Sequence, residues 1–250
     1  MKRVLLSTLV ATALLGSEVD DLLDGFDDDK ETKVKKVASK SPLEGKFTQS
    51  ATYATNTSSP HDNLNSFKSS LFLEYNKKFD NGFKLKLNGV GFYDFIYSNK
   101  GSEKFTKEEL DSLRSEVELY DFFVEGSLSD KLDIKLGRQV VVWGRSDSIR
   151  ITDILNPLDN RRPAMVDIED LRLPVGMLKF DYYLDDNWRV TPIVIGEQRF
   201  TKNPPFGSQF YPLPTKQPTQ KEPTNTTYAL NIGGEFSGYD VDFYYANIYA

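Results

Sequence analysis

Cysteine is missing from this 250-residue chain, and histidine occurs once, at position 61. Without thiols there are no disulfide frameworks, thiolate zinc sites or cysteine nucleophiles. A single histidine rules out a multi-histidine metal centre within one chain. Basic residues are outnumbered, 31 against 37, for a net charge of −6 and a pI of about 5.0. The basic face of a nucleic-acid binder is therefore not expected, and no nucleic-acid partner is assigned. Long apolar runs are also lacking. A mean hydropathy of −0.47 excludes a polytopic helical membrane protein. It does not exclude a barrel of strands, where lipid-facing and lumen-facing residues alternate and the average stays low. The length allows one large domain or two small ones, with a sizeable core.

What is present begins with an address. Residues 1–17 carry Lys2 and Arg3, then a largely apolar run from Val4 to Leu15, then Gly16 and Ser17. That is the order of a secretory signal peptide, although Leu14 is a poor −3 residue for cleavage after Gly16. The run falls short of the roughly 20 apolar residues a transmembrane helix needs. Residues 18–43 are acidic and then basic, with few large apolar groups, and read as a flexible periplasmic lead-in. An EF-hand reading fails there, because Leu22 stands where the third-position ligand belongs if Asp20 is the first.

From residue 44 the hydropathy has period two. Phe67, Leu71, Leu73 and Tyr75 oppose Lys68, Glu74 and Asn76; Leu85, Leu87 and Tyr93 oppose Lys84, Lys86, Asn88 and Asp94. Such alternation is the mark of half-buried strands. It predicts nine: 44–55, 66–79, 83–97, 115–128, 132–142, 175–184, 188–200, 226–237 and 239–250. Asn81-Gly82 is a hairpin turn in which both residues tolerate positive φ. Short and long connections alternate, with the long ones at 56–65, 98–114, 143–174 and 201–225. The fold class expected is all-β, an antiparallel up-and-down transmembrane β-barrel over 44–250, with tight periplasmic turns and long external loops. Aromatics flank both ends as two girdles: Phe79, Phe83, Trp188 and Phe236 at the turns, and Tyr93, Phe95, Tyr97, Trp143 and Phe200 opposite. Strand 115–128 breaks the pattern, with Val117 and Leu119 on one parity and Tyr120, Phe122 and Val124 on the other, which calls for a bulge.

The stretch 137–183 resembles bacterial outer-membrane proteins of the DUF1302 type. It carries Gly137, Arg138, Gln139, Trp143 and Gly144 at a strand end, Asn156, Pro157 and Asp159 in the loop, and Leu173, Pro174, Met177 and Leu178 on the return strand. Residues 22–29 and 204–212 are similar to the same proteins. The resemblance implies an outer-membrane β-barrel and brings no defined activity. Proteins of this type are longer, and nine strands is an odd number for a bacterial barrel. The expectation is a partial barrel; the alternative is a strand split or missed, for instance in 98–114, with eight or ten strands closing on themselves.

Chemistry concentrates in loop 143–174. Its Arg145, Arg150, Arg161, Arg162 and Arg172 interleave with Asp147, Asp153, Asp159, Asp167, Glu169 and Asp170. Rows of opposed charge across a water-filled lumen select polar solutes, so Arg138, Arg145, Asp147, Arg150, Asp153, Asp159, Arg161, Arg162 and Arg172 are the candidate constriction residues. The alternative is a loop packed by its own salt bridges. No catalytic constellation is found: Ser58, Ser59 and Asp62 near His61 do not make a triad, and Gly89-Val90-Gly91 precedes no helix. Loop 201–225 reads as extended and exposed. An enzyme, a cofactor and a metal are not expected. The reading is a porin-like channel or transporter for small solutes in the outer membrane, with lipid as its surroundings. The alternatives are transport of hydrophobic compounds along the aromatics of strand 115–128, and a surface-interaction barrel. Oligomeric state is left open.

Overall fold

The computed structural model describes residues 6–15, 41–55, 59–144, 151–163, 165, 171–218, 221 and 223–249, the first of these segments by backbone alone. Among the described residues ten strands form one antiparallel sheet in strict chain order. They are β1 (Leu6–Leu15), β2 (Leu43–Ala54), β3 (Asn63–Lys78), β4 (Lys84–Asp94), β5 (Ser115–Ser129), β6 (Leu132–Gln139), β7 (Val175–Tyr183), β8 (Trp188–Ile195), β9 (Thr227–Phe236) and β10 (Tyr239–Asn247). The nine from β2 onward are the nine strands the alternation predicts, with ends moved by a few residues. The sheet is open, with β1 and β10 at its edges, as in a partial barrel.

β1 has no counterpart in the strand pattern. It falls within the stretch read as a leader and pairs along β2 from Leu6 opposite Ala54 to Leu15 opposite Gly45. An unpaired strand edge offers a row of free N–H and C=O groups, and an extended apolar segment satisfies them. Removal of a leader at residue 16 or 17 would return that edge to β2. The cleavage site and residues 18–40 lie outside the described residues.

Register sorts the side chains onto two faces. One ladder runs Leu85, Val124, Leu136, Leu178, Val194 and Tyr228 across β4 to β9. Residues on this face stay uncovered: Leu136 is 55% exposed and Val117 91%. One position along, on the other face, Lys84, Glu125, Lys135 and Lys179 face one another. β5 keeps this sorting by means of a bulge. Leu87 pairs with Phe122 while Gly89 pairs with Leu119, so Tyr120 and Asp121 together oppose Asn88. Asn88 fills the gap by accepting a hydrogen bond from the Asp121 N–H at 2.8 Å. The parity break in the sequence is thus a switch that returns Phe122 and Val124 to the face of Val117 and Leu119.

The short turns are those expected, though only Gly82 of the Asn81-Gly82 pair adopts positive φ, at +87°. Asn81 instead accepts a hydrogen bond from the Phe83 N–H through its side chain. The connection after β4 holds no strand. It folds into α1 (Ile96–Asn99), a 3₁₀ turn over Ser102–Lys104 and α2 (Lys107–Leu113). Thr106 caps α2 by accepting from the Glu109 N–H at 3.2 Å, and the Thr-x-x-Glu spacing is a capping signature that alternation alone passes over. Ile96, Tyr97 and Leu113 form a small core inside this connection.

Two members of the expected aromatic girdles move as a result. Tyr97 is buried in that loop core, and Trp143 packs against Tyr244 on the polar face, with centroids 4.9 Å apart. Tyr93, Phe95, Phe79 and Trp188 remain near the strand ends, with Trp188 edge-on to Phe236.

Candidate functional site

The long connections fold back over the polar face near one end of the strands. The lowest layer is apolar: Trp143 and Leu155 of the loop after β6 cover Val175, Met177, Ile193, Ile195 and Ala229 of β7 to β9. Asn156 fixes the entry. Its Oδ1 accepts from the Val141 N–H at 2.8 Å, and its Nδ2 donates to the carbonyls of Gln139 and Leu173. Gln139, fully buried, donates to the Met177 carbonyl from the same face. Gly137 has φ +129°, and a Cβ there would lie 2.2 Å from the Phe122 carbonyl oxygen. Only glycine fits such an approach. The motif that carries the family resemblance is therefore a structural staple joining a strand end, a loop and a return strand.

Above this lies a charge layer. Arg161 donates to both oxygens of Asp159, at 2.8 and 2.5 Å, to Glu116 at 2.5 Å and to the Ser112 carbonyl. Arg162 donates to Asp94 at 2.8 Å and to Ser66 at 2.8 Å. Lys202 bridges Glu116 and Glu118, and Arg199 pairs with Glu118. Arg172 and Asp153 make a buried pair at 2.7 Å. Burial alone would raise the Asp159 carboxyl, but the hydrogen bonds and charge of Arg161 hold it below its ordinary value. Burial works against the Arg161 cation too, and Asp159 with Glu116 raise its pKa overall.

Of the nine candidate residues, Asp153, Asp159, Arg161, Arg162 and Arg172 meet in these two layers. Arg145, Asp147 and Arg150 lie outside the described residues, as do Asp167, Glu169 and Asp170. Arg138 is elsewhere. It shares the apolar face with Ile134 and Leu136, bound to Glu197 through Nε at 3.1 Å and Nη2 at 2.7 Å, and to the Leu119 carbonyl. It therefore does not line the polar face; Gln139, of the opposite parity, does. The paired carboxylates Asp94, Glu116 and Glu118 escaped the sequence reading because they lie on strands distant in the chain. Their one signal was a charge at an inward parity. Tyr120 and Phe123 reach the polar side, but Phe122 and Val124 do not, so strand β5 supplies no continuous aromatic path there.

Toward the short turns the polar face is a mesh of alternating charge. Lys86 lies 3.1 Å from Glu74 and 3.8 Å from Asp121, Lys84 and Lys135 share Glu125, and Lys179 pairs with Asp181 at 2.5 Å. Among the described residues no group of three or more His, Asp or Glu side chains is placed to hold a metal ion. Among the described residues no helix is long and apolar enough to cross a membrane, which says nothing of strands.

His61 belongs to a junction of four loops. Its Nε2 lies 3.0 Å from the Gly207 carbonyl, and its Nδ1 lies 3.6 Å from Glu109, which is 1% exposed and contacted by the Tyr97 hydroxyl. The geometry is that of an ion pair, but burial lowers the His61 pKa and raises that of Glu109 to about 7. At neutral pH the histidine is uncharged, so the contact is not a salt bridge. A folded pKa above the unfolded one gives Glu109 stability that is full below the ordinary carboxylate range and lost as pH rises through about 7. A displacement of that size is worth roughly 3 kcal/mol. His61 acts in the opposite sense, costing stability as pH falls below its unfolded value. Glu109→Gln removes only the first effect. Urea unfolding at pH 5 and pH 8 should show the parent losing stability relative to the variant on going to pH 8; parallel curves would contradict this.

The model of the family described as proteins of unknown function, DUF1302, matches residues 32–250, which takes in every strand from β2 to β10. No curated protein and no solved structure matches the chain. With a match over most of its length and the Gly137–Leu178 staple built as described, the chain belongs to the DUF1302 family.

Proposed function

We propose that the sheet is the wall of an outer-membrane β-barrel, exported through the leader, and that the barrel is a porin-like channel for small polar solutes. The observation that carries this is the contrast between the two faces. A continuous ladder of exposed and part-exposed aliphatic and aromatic side chains backs a mesh of Lys, Glu and Asp. Water on both sides gives no reason to leave the first face bare, whereas lipid outside and a solvated lumen inside satisfy both. Segregation of tight turns to one end and long loops to the other supports the same reading. The loops after β6 and β8 then form a fixed constriction, their Arg161, Arg162 and Lys202 held by strand carboxylates rather than facing an open gap. The surrounding partner is membrane lipid, the solute passes without chemistry, and no cofactor is needed.

Planar-bilayer recording on the full-length protein tests the channel. Discrete, ohmic conductance steps are expected, together with swelling of liposomes in small sugars. A folded, inserted protein that passes no current and allows no swelling would contradict it.

A further inference from the structure

The charge layer leaves one cation over. Asp94 is taken by Arg162, Asp159 by Arg161, Glu116 by Arg161 and Lys202, and Glu118 by Lys202 and Arg199. Lys68, on the polar face of β3, has no carboxylate partner among the described residues. Its ammonium lies 5.4 Å from the Phe92 ring centroid. It lines a cavity of about 160 Å³ beneath the loop after β6, together with Arg161 and Arg162. Every acid nearby being neutralised, the cavity has a net positive charge.

The other walls are of three kinds. Val90, Phe92 and Leu171 are apolar, Ser70 and Tyr120 bring hydroxyls, and the carboxylates of Glu116 and Asp159 also line the cavity, each already paired with Arg161 or Lys202. The bulge in β5 places Tyr120 here, and its hydroxyl has no hydrogen-bond partner among the described residues. A half-enclosed cation without a counter-ion is costly, and a free hydroxyl beside it is a ready donor. An apolar body seated on Phe92 and Leu171 with an anionic head on Lys68 and Tyr120 meets all these groups at once. We propose that this cavity binds a small organic carboxylate carrying a compact apolar body. Pockets for drug-sized ligands run to roughly 300–1,000 Å³, so the occupant is a single-ring or short-chain acid. The site lies under the loop layer and stands whether or not the barrel conducts.

Calorimetric titration of the full-length protein in non-ionic detergent tests this, with benzoate as probe and benzyl alcohol and acetate as controls. Benzoate is expected to bind, and both controls to bind at least tenfold more weakly, one lacking the charge and the other the ring. Lys68→Met should weaken benzoate at least tenfold, Lys68→Arg should retain it, and Tyr120→Phe should weaken it severalfold with an unchanged circular dichroism spectrum. Benzoate failing to bind the parent overturns the proposal, as does equal binding by Lys68→Met and Tyr120→Phe. Should Lys68→Met not fold, Tyr120→Phe and the alcohol control decide alone. Bilayer conductance is read separately, so a sealed protein that binds benzoate counts against the channel and not against this site.

Discussion

Asp94→Ala is expected to lower stability by about 3–5 kcal/mol and to release the loop after β6 from the sheet. Asp94 is fully buried at the end of β4 and joins three things. Its Oδ2 accepts from Arg162 at 2.8 Å and from the Ser66 hydroxyl at 2.6 Å, and its Oδ1 accepts from the Phe67 N–H at 2.8 Å. Alanine leaves a buried guanidinium without its counter-charge and a strand N–H without an acceptor, and each loss is expensive. Asp94→Asn keeps one acceptor oxygen, enough for the Phe67 N–H, but loses the second acceptor and the charge, so it should fall between the parent and Asp94→Ala. Urea unfolding gives the stability. Trypsin cleavage after Arg161 reports the loop (the Arg162–Pro163 bond resists trypsin), and 3 kcal/mol corresponds to faster cleavage by about a hundredfold if local opening limits it. Unchanged cleavage in Asp94→Ala would mean that the apolar layer under Trp143 and Leu155 holds the loop unaided.

The second large effect separates a membrane wall from a water-washed sheet. Leu136 lies within β6, flanked by Val124 and Leu178 on the exposed face. Replacing an exposed leucine of a soluble protein by arginine changes stability by roughly 0.5 kcal/mol or less. At the lipid face of a barrel the same change costs about 2–4 kcal/mol. Leu136→Arg should therefore be strongly destabilising for the protein in lipid vesicles. Leu136→Met, which keeps the face apolar, should be close to neutral. Equal stability of the arginine variant and the parent would count against lipid on this side.

Much of the architecture was legible because period-two alternation in hydropathy sorts side chains onto the two faces of a strand, and the register keeps that sorting across the sheet. Even the irregular strand was readable: Leu119 and Phe122 are apolar residues of opposite parity, so placing both on one face requires one inserted position, and the bulge at Tyr120-Asp121 supplies it. The loop chemistry was legible only in part. That Arg161, Arg162 and Arg172 matter followed from their density, but the strand carboxylates that hold Arg161 and Arg162 are remote in the chain, Asp94 standing 68 positions from Arg162. Nothing local to the loop encodes that contact. Arg138 shows a different failure: its parity was clear, but its face follows from Ile134 and Leu136 beside it, not from its own charge. The helical connection after β4 was missed for a third reason. Seven helical residues in α2 are too few for an apolar period to emerge, and the Thr106–Glu109 cap was the one cue.

The absence of cysteine makes the central claim, a two-faced sheet with lipid against its apolar side, directly measurable. Single cysteines at Glu116, Val117, Glu118, Leu119, Asp121, Phe122, Phe123 and Val124 in vesicle-reconstituted protein can carry a spin label read against oxygen and a polar nickel chelate. Oxygen accessibility should peak at 117, 119, 122 and 124, and the chelate should reach 121 and 123 instead, with the alternation shifting phase once, at the bulge. Chelate access at 117, 119, 122 and 124 equal to that at 121 and 123, or an alternation that runs through 120 without a shift, would contradict the account.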